Sequence, residues 1–379
     1  MGWGMVRHGA AVALVAGGAL HTVPAVGATY TQLYEFQAAP DANGPGAPMI
    51  SVGGTLYGTS TGGGVNNAGT IFTLTPGGAE AVVHSFSSST EGAAPTGPLL
   101  NVSGTLYGTL STGGANGYGA VFSLSRKGKF KIVYAFPGGA GGATPKGGLV
   151  ALKGVLYGTT AQGGADDNGT VYALTKAGAA NVLYSFAGGS DGAMPVAGLI
   201  AVKRVLWGTT MQGGSGNAGT VFSLTLKGKE KIVHAFQNYA DGAYPVAPLL
   251  NVNGTLYGTT YGGMFTDGTV FAVAGGFAHT IYEFAGLNDA SNPTSGLVNL
   301  NGVLFGTSAV GGGLGLCGGL GCGAVYSITT DGNEGVVYGF QGGNDGVNAV
   351  GLTNVGGTLY GVTAGGGASG VGTAFSIVP

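Results

Sequence analysis

Apolar positions alternate with a period of two along short segments of the chain, and the alternation returns about every 50 residues. In one such segment Ile232, His234 and Phe236 point one way, and the other face carries Val233 and Ala235. Strands that are largely apolar on both faces belong to sheets covered on both sides. Glycines interrupt every window of helical length. The pattern therefore predicts an all-β protein.

A four-residue segment, Leu-Tyr-Gly-Thr with small variations, marks the repeat. A Gly-Gly loop follows it, then a block that opens with Gly, a strand that ends in an aromatic pair, and a final strand before the next copy. We name the four predicted strands of one unit a, b, c and d, with the repeated segment in b. Such self-similarity predicts seven four-stranded units. The copies begin at Leu56, Leu106, Leu156, Leu206, Leu256, Leu304 and Leu359.

The phase of the repeats predicts a ring. The chain opens with a lone d-type strand, Gln32 to Phe36, and its last strand, Thr373 to Ile377, is of type c. The first strand would complete the last unit, so that no sheet edge inside the ring stays unpaired. We therefore predict a closed seven-bladed β-propeller, with Leu33 to Phe36 alongside Ala374 to Ile377. A linear solenoid is the alternative, but it would carry polar caps instead.

Four repeated elements, Leu-Tyr-Gly-Thr-Thr, Gly-Gly, Gly-Thr-Val-Phe and Tyr-x-Phe, together resemble the GloVer tandem-repeat family of exported bacterial proteins. The resemblance covers nearly all of the chain beyond residue 28. It implies export, and many members end in a surface-sorting anchor, which we do not expect here because only two residues follow Ile377. The family offers no activity that could be assigned to particular residues.

The N-terminus has the layout of a secretory signal peptide. Arg7 precedes an apolar run from Gly9 to Leu20, which is too short to span a membrane, and small residues up to Ala28 follow. We predict a signal peptide over residues 1–28 and a single propeller domain over 29–379. The mature protein would be extracellular, periplasmic or on the cell surface. A disordered apolar N-terminus is the alternative.

Composition narrows the classes of partner. Charged residues make up 7% of the chain and the formal net charge is −2, which argues against a nucleic-acid binder. The two cysteines, Cys317 and Cys322, are predicted to form a local disulfide, because two thiols without a nearby histidine are half of a metal site. We expect a monomer with no metal, no cofactor and no membrane span after cleavage.

No constellation of catalytic residues is found. His84 and His234 occupy the tyrosine position of strand d and are interpreted as packing substitutes, and His279 has no acidic or thiol partner within its hairpin. No catalytic residue is predicted on these grounds.

Charges are distributed unevenly between the two ends of the predicted ring. We call the end with the a–b and c–d turns the turn face, and the end with the d–a and b–c loops the loop face. The predicted basic binding residues on the turn face are Arg126, Lys127, Lys129, Lys131, Lys227, Lys229 and Lys231. The predicted acidic ones on the loop face are Asp41, Glu91, Asp191, Asp241, Asp289 and Asp345. The alternative is that charges gather in turns because turns are solvated.

These observations favour a non-enzymatic exported propeller that binds a glycan or another cell-envelope component through its loops. A hydrolase or lyase acting on glycans at the mouth of the ring is the first alternative. It would need paired carboxylates or a base near the axis. A structural or adhesive envelope protein is the second.

Overall fold

A computed structural model describes residues 27–238, 241–262, 267–313, 315 and 317–379. In this part of the chain the strands form seven antiparallel sheets, so the predicted seven-bladed β-propeller is confirmed. The predicted signal peptide lies outside the described residues except for its last two positions. The helical elements described are three short 3-10 turns at Gly139–Gly141, Gly189–Asp191 and Gly343–Asp345.

Each blade contains strands a to d in order from the axis outwards, and strand a is split in two in blades 1 and 6. Blade 1 contains β2 (Ala42–Pro45), β3 (Ile50–Val52), β4 (Thr55–Gly63), β5 (Thr70–Leu74) and β6 (Glu80–Ser85). Blade 2 contains β7 (Leu100–Val102), β8 (Thr105–Leu110), β9 (Ala120–Leu124) and β10 (Phe130–Ala135). Blade 3 contains β11 (Val150–Leu152), β12 (Val155–Thr160), β13 (Thr170–Thr175) and β14 (Ala180–Ser185).

The remaining blades follow the same plan. Blade 4 contains β15 (Ile200–Val202), β16 (Val205–Thr210), β17 (Thr220–Thr225) and β18 (Glu230–Ala235). Blade 5 contains β19 (Leu250–Val252), β20 (Thr255–Thr260), β21 (Thr269–Ala274) and β22 (Phe277–Glu283). Blade 6 contains β23 (Ala290–Pro293), β24 (Val298–Leu300), β25 (Val303–Gly311), β26 (Ala324–Thr329) and β27 (Glu334–Gly339). Blade 7 contains β28 (Val347–Val355), β29 (Thr358–Gly365), β30 (Thr373–Val378) and β1 (Thr29–Glu35).

The glycine of the repeated segment makes room for an aromatic ring. In blade 3, Gly158 of strand b lies opposite Tyr172 of strand c, and a Cβ on Gly158 would be 2.5 Å from the Tyr172 hydroxyl oxygen. Any larger residue would displace the fully buried ring. The next two positions are also fixed, because Thr159 donates to the carbonyl of Ala197 in the following blade and Thr160 bonds Thr170 within the sheet.

Aromatic rings join each blade to the next. Phe186, at the end of strand d in blade 3, packs edge-to-face on Phe222 of strand c in blade 4, with 5.1 Å between the ring centres. Both rings are fully buried. Burial of one such side chain contributes about 1.5–3 kcal/mol. The buried apolar clusters between the blades each contain residues from two neighbouring blades. A single blade therefore cannot bury its own core.

The first strand closes the ring. β1 pairs antiparallel with β30, with Tyr30 opposite Ile377 and Tyr34 opposite Ala374. The prediction that the N-terminal strand completes the last blade is therefore confirmed, but its bounds were too short. Pairing begins at Thr29, and Leu33 forms a bulge. The strand extends because Tyr30 stacks on Tyr338 of blade 6, with ring centres 4.1 Å apart.

Candidate functional site

A narrow channel of about 100 Å³ lies at the centre of the ring, lined by the segments that enter strand a of each blade. Its lining consists of small or apolar residues and hydroxyls, and Lys146 is the one charged residue among those that line it. None of the carboxylates predicted on the loop face lies there. Within the described part of the chain, the channel therefore lacks the pair of carboxylates that glycoside hydrolysis requires.

The loop-face acids each hold their own loop in shape. Asp191 accepts hydrogen bonds from the Tyr184 hydroxyl at 2.6 Å and from the Ala187 backbone N–H at 2.7 Å. The same pattern, an aromatic partner seven residues earlier and a backbone N–H four residues earlier, recurs in the other five loops. The aromatic and acidic partners there are Tyr34 with Asp41, His84 with Glu91, His234 with Asp241, Tyr282 with Asp289, and Tyr338 with Asp345.

This arrangement gives the two histidines a polar role as well as a packing one. His84 Nε2 lies 3.0 Å from Glu91, and His234 Nε2 lies 2.6 Å from Asp241, each in the place of a tyrosine hydroxyl. Sequence reasoning took them as packing residues only. The signal that could have identified the pairs is the seven-residue spacing between a Tyr or His and an acid. Blade 2 lacks the pair, because Gly141 stands seven residues after Tyr134.

Three further acids, which sequence reasoning did not single out, lie at blade interfaces. Glu80, the first residue of β6, lies against Tyr34 of β1 and Asp41 of the loop between β1 and β2. Burial, followed by the charge of Asp41, raises the pKa of Glu80 to about 7 from its ordinary 4.5. Its Oε1 atom is buried and has no hydrogen-bonding partner among the described residues. A protonated Glu80 would satisfy that atom by donating to Asp41.

The same pairing occurs at two other interfaces. Burial and the charge of Asp191 raise the pKa of Glu230 to about 7, and burial and the charge of Asp289 raise that of Glu334 to about 8. The corresponding position is aromatic at two interfaces, where Phe130 stacks on His84 and Tyr30 stacks on Tyr338. At the remaining two interfaces the position is occupied by Ala180 and Ala278. Because its residue type varies in this way, the position fits a role in joining blades rather than in a single reaction.

The predicted basic residues of the turn face lie on blades 2 and 4, on either side of blade 3. All seven are exposed, with the first four in or beside the c–d turn of blade 2 and the last three in that of blade 4. The a–b and c–d turns of blades 3 and 4 add Lys153, Lys176, Lys203 and Arg204, also exposed. We call these eleven residues the basic sector. The charged side-chain pairs within 4.0 Å in the described residues involve only His84 and His234, so no Lys or Arg contacts a carboxylate.

Cys317 and Cys322 form a disulfide in the loop between β25 and β26, with their Cα atoms 5.3 Å apart. The backbone carbonyl of Cys322 also accepts a hydrogen bond from Asn348 of the next blade. Among the described residues, no group of three or more His, Cys, Asp or Glu side chains is placed to hold a metal ion. The described part also contains no helix with the length and apolar character needed to cross a membrane.

Comparison with known families agrees with the repeat. A model of the Gloeobacter/Verrucomicrobia repeat matches residues 3–166 and 149–375, which together span nearly the whole chain. The chain belongs to the Gloeobacter/Verrucomicrobia repeat family. Membership confirms the resemblance inferred from the repeated elements. A comparison with curated protein sequences finds no match for this Gloeobacter/Verrucomicrobia repeat protein.

Solved structures resemble this repeat protein in fold. Puromycin hydrolase aligns with a TM-score of 0.52 and 12% identity over 84% of this chain and 50% of its own. The chain therefore spans about half of that enzyme's length. A candidate 6-phosphogluconolactonase from Bacteroides uniformis gives a TM-score of 0.53 and 16% identity over 81% of this chain and 88% of its own. At such identities the likeness shows the propeller fold alone.

A third similar structure differs in how it is closed. The β-propeller domain of the Trilobed protease from Pyrococcus furiosus aligns with a TM-score of 0.50 and 10% identity, over 90% of this chain and 95% of its own. That domain is described as having an open velcro topology. In the Gloeobacter/Verrucomicrobia repeat protein, by contrast, β1 and β30 join the two ends of the ring.

Proposed function

We propose that this protein is an exported, non-enzymatic binding protein that holds an anionic polymer of the cell envelope on its turn face. One observation carries the proposal. The eleven cations of the basic sector lie on one face of three adjacent blades, and within the described part of the chain none of them contacts a carboxylate. Unpaired cations on one surface create a positive potential that attracts a polyanion.

The surroundings of the basic sector support this proposal. The acids of the loop face are bound within their own loops, and Glu230, the one acid at a c–d turn of these blades, faces Asp191 across a blade interface. The sector therefore keeps its charge, although the formal net charge of the whole chain is −2. Charges at this exposure act over about 10 Å at 0.1 M salt, so binding should weaken as salt is added.

The test is retention on immobilised polygalacturonate at low salt. Replacing Lys127, Lys129, Lys227 and Lys229 with Gln should abolish most of the retention. Lys146→Gln, which removes a cation on the loop face, should leave retention unchanged. A second control adds Asp166→Asn, Glu283→Gln and Asp331→Asn to the four-lysine variant, which restores most of the net charge. Unchanged retention of the four-lysine variant would overturn the proposal, and so would full recovery in the charge-restored variant.

A second candidate function is hydrolysis or cleavage of a glycan at the loop face. It is favoured by an open pocket of about 440 Å³ lined by Tyr34, Asp41 and Glu80, in which a protonated acid lies next to a second carboxyl group. Glycoside hydrolases use such a pair. Turnover of a glycan substrate that Glu80→Gln abolishes would establish this function. Hits on a glycan array without turnover, or turnover that Glu80→Gln leaves intact, would rule out glycan cleavage at this pocket. A structural or adhesive role predicts neither glycan turnover nor hits on the glycan array.

A further inference from the structure

A groove of about 380 Å³ opens on the turn face between blades 1 and 2. Its walls are mainly apolar, and Arg126 is the one charged side chain among the residues that line it. Its volume lies within the roughly 300–1,000 Å³ that is usual for ligand sites. The lining side chains that matter here are Val52, Tyr57, Val83, Leu106, Leu124 and Arg126.

The groove exposes an aromatic ring that other blades cover. Tyr57 is half-buried, whereas its equivalents Tyr107, Tyr157 and Tyr257 are each only 7% exposed. Val83 beside it is 39% exposed. An accessible aromatic ring next to an aliphatic side chain offers an apolar surface on which the flat face of a sugar ring can pack.

Arg126 is held at the rim of this groove. Its side chain crosses the a–b turn of its own blade, where a Cβ on Gly104 would overlap Arg126 Nε. Nothing lies over the equivalent glycines of the other blades, which are Gly54, Gly154, Gly254, Gly302 and Gly357. The contact with Gly104 restrains the guanidinium, and no carboxylate neutralises it. A planar guanidinium binds carboxylates through two parallel hydrogen bonds, which an ammonium cannot do.

A second groove also has an aromatic wall, but no charged residue lines it. It lies between blades 4 and 5, measures about 180 Å³, and is lined by Trp207, Val202 and Leu256. Trp207 is half-buried, like Tyr57. The larger groove is thus the one that combines an aromatic wall with an unpaired arginine, and Lys127 and Lys129 of the basic sector lie in the same turn as that arginine.

We propose that the groove between blades 1 and 2 binds a uronate unit of the anionic polymer, with the sugar ring against Tyr57 and Val83 and its carboxylate on Arg126. This inference rests on the proposed function and deepens it. The basic sector would attract the chain of charges without regard to its composition, and the groove would select a ring that carries a carboxylate.

The test uses a galacturonate trimer, its methyl ester as an uncharged copy, and a sulfated trimer, titrated calorimetrically into the full-length mature protein. The acidic trimer should bind and its ester should not. Arg126→Gln should lower affinity at least tenfold and Arg126→Lys by an intermediate factor, because lysine keeps the charge but not the fork. Lys146→Gln, which removes a cation on the loop face outside the basic sector, should change affinity less than threefold.

The apolar wall has its own matched pair of variants. Tyr57→Leu should weaken trimer binding severalfold, whereas Trp207→Leu in the second groove should not, and thermal unfolding checks that both variants fold. An effect of Arg126→Gln no larger than that of Lys146→Gln would overturn the inference, as would preference for the sulfated trimer. If the long polymer still depends on the basic sector in that case, the proposed function stands without the groove. If retention of the long polymer is also unchanged in the four-lysine variant, the inference about the groove and the proposed function are both wrong.

Discussion

Glu80 of blade 1 and Asp41 of the loop that links blade 7 to blade 1 lie against each other, although both are acids. Two neighbouring carboxyl groups in a partly buried site do not ionise together near neutrality, and one of them keeps its proton. Asp41 accepts hydrogen bonds from a backbone N–H and from the Tyr34 hydroxyl. Burial and the charge of Asp41 raise the pKa of Glu80 to about 7, so Glu80 is the group that holds a proton below neutral pH. The interface is held by an acid and a carboxylate rather than by opposite charges.

The first prediction concerns the stability of the fold as pH changes. The pKa values of Glu80, Glu230 and Glu334 rise from 4.5 to about 7, 7 and 8 in the folded protein. The folded state thus binds more protons than the unfolded state between these values. Their contribution to stability is full below about pH 4.5 and is lost as pH rises towards 8. The thermal unfolding midpoint should fall over that interval.

The control for this prediction is the triple variant in which the three glutamates are replaced by Gln. It should show a flatter profile between pH 5 and 8, since glutamine keeps a hydrogen-bond donor at every pH. A wild-type midpoint that rises over this interval, or a triple variant with the same slope as wild type, would contradict the assignment.

The second prediction concerns the pairing of aromatic and acidic residues in the d–a loops. Tyr184→Phe removes the 2.6 Å hydrogen bond to Asp191 and should lower the free energy of unfolding by about 1 kcal/mol. Tyr134→Phe is the matched control, because blade 2 has no acid at that place, and it should cost less than about 0.5 kcal/mol. Urea unfolding measures both. Equal effects would show that the hydroxyl–carboxylate bond is not what stabilises the loop.

The third prediction is a stabilising substitution in the core. The hydroxyl groups of Tyr172 and Tyr326 are fully buried and have no hydrogen-bonding partner among the described residues. Phenylalanine occupies the same place in the other blades, as in Phe222 and Phe271. Tyr172→Phe removes an unsatisfied buried polar group, so it should raise the free energy of unfolding by about 1 kcal/mol. A loss of stability would show that the hydroxyl is satisfied.

The fourth prediction separates stability from binding at one arginine. Arg204 adopts a φ of 67° in the a–b turn of blade 4, at a position where the other six blades have glycine. Arg204→Gly should stabilise the fold by about 0.5–1 kcal/mol, because a left-handed conformation is costly for any other residue. It should also weaken retention on polygalacturonate. Arg204→Ala keeps the backbone strain and loses the charge, so it should weaken retention without the gain in stability.

The fold could be predicted well from the sequence because the seven copies of the repeat can be compared with one another. Seven copies reveal which positions recur, and the offset between the first strand and the last indicates the ring. The role of Glu80 could not be predicted in this way, since its partner Asp41 lies in the loop between blades 7 and 1 and the contact depends on how that loop folds against strand d. The groove at Arg126 was also missed, although the residue itself was singled out. Its position over Gly104 and beside Tyr57 depends on how two neighbouring blades meet.

The pairing of β1 with β30 sets the order in which the molecule can be assembled. Tyr30 is synthesised early, yet its partner Ile377 is made 347 positions later. Until residues 373–378 exist, the first strand lacks its pairing partner, and no sheet holds Tyr30 over Tyr338. Completion of the native state therefore waits for synthesis of the C-terminal strand, and a chain interrupted before it would expose an unfinished sheet to its neighbours.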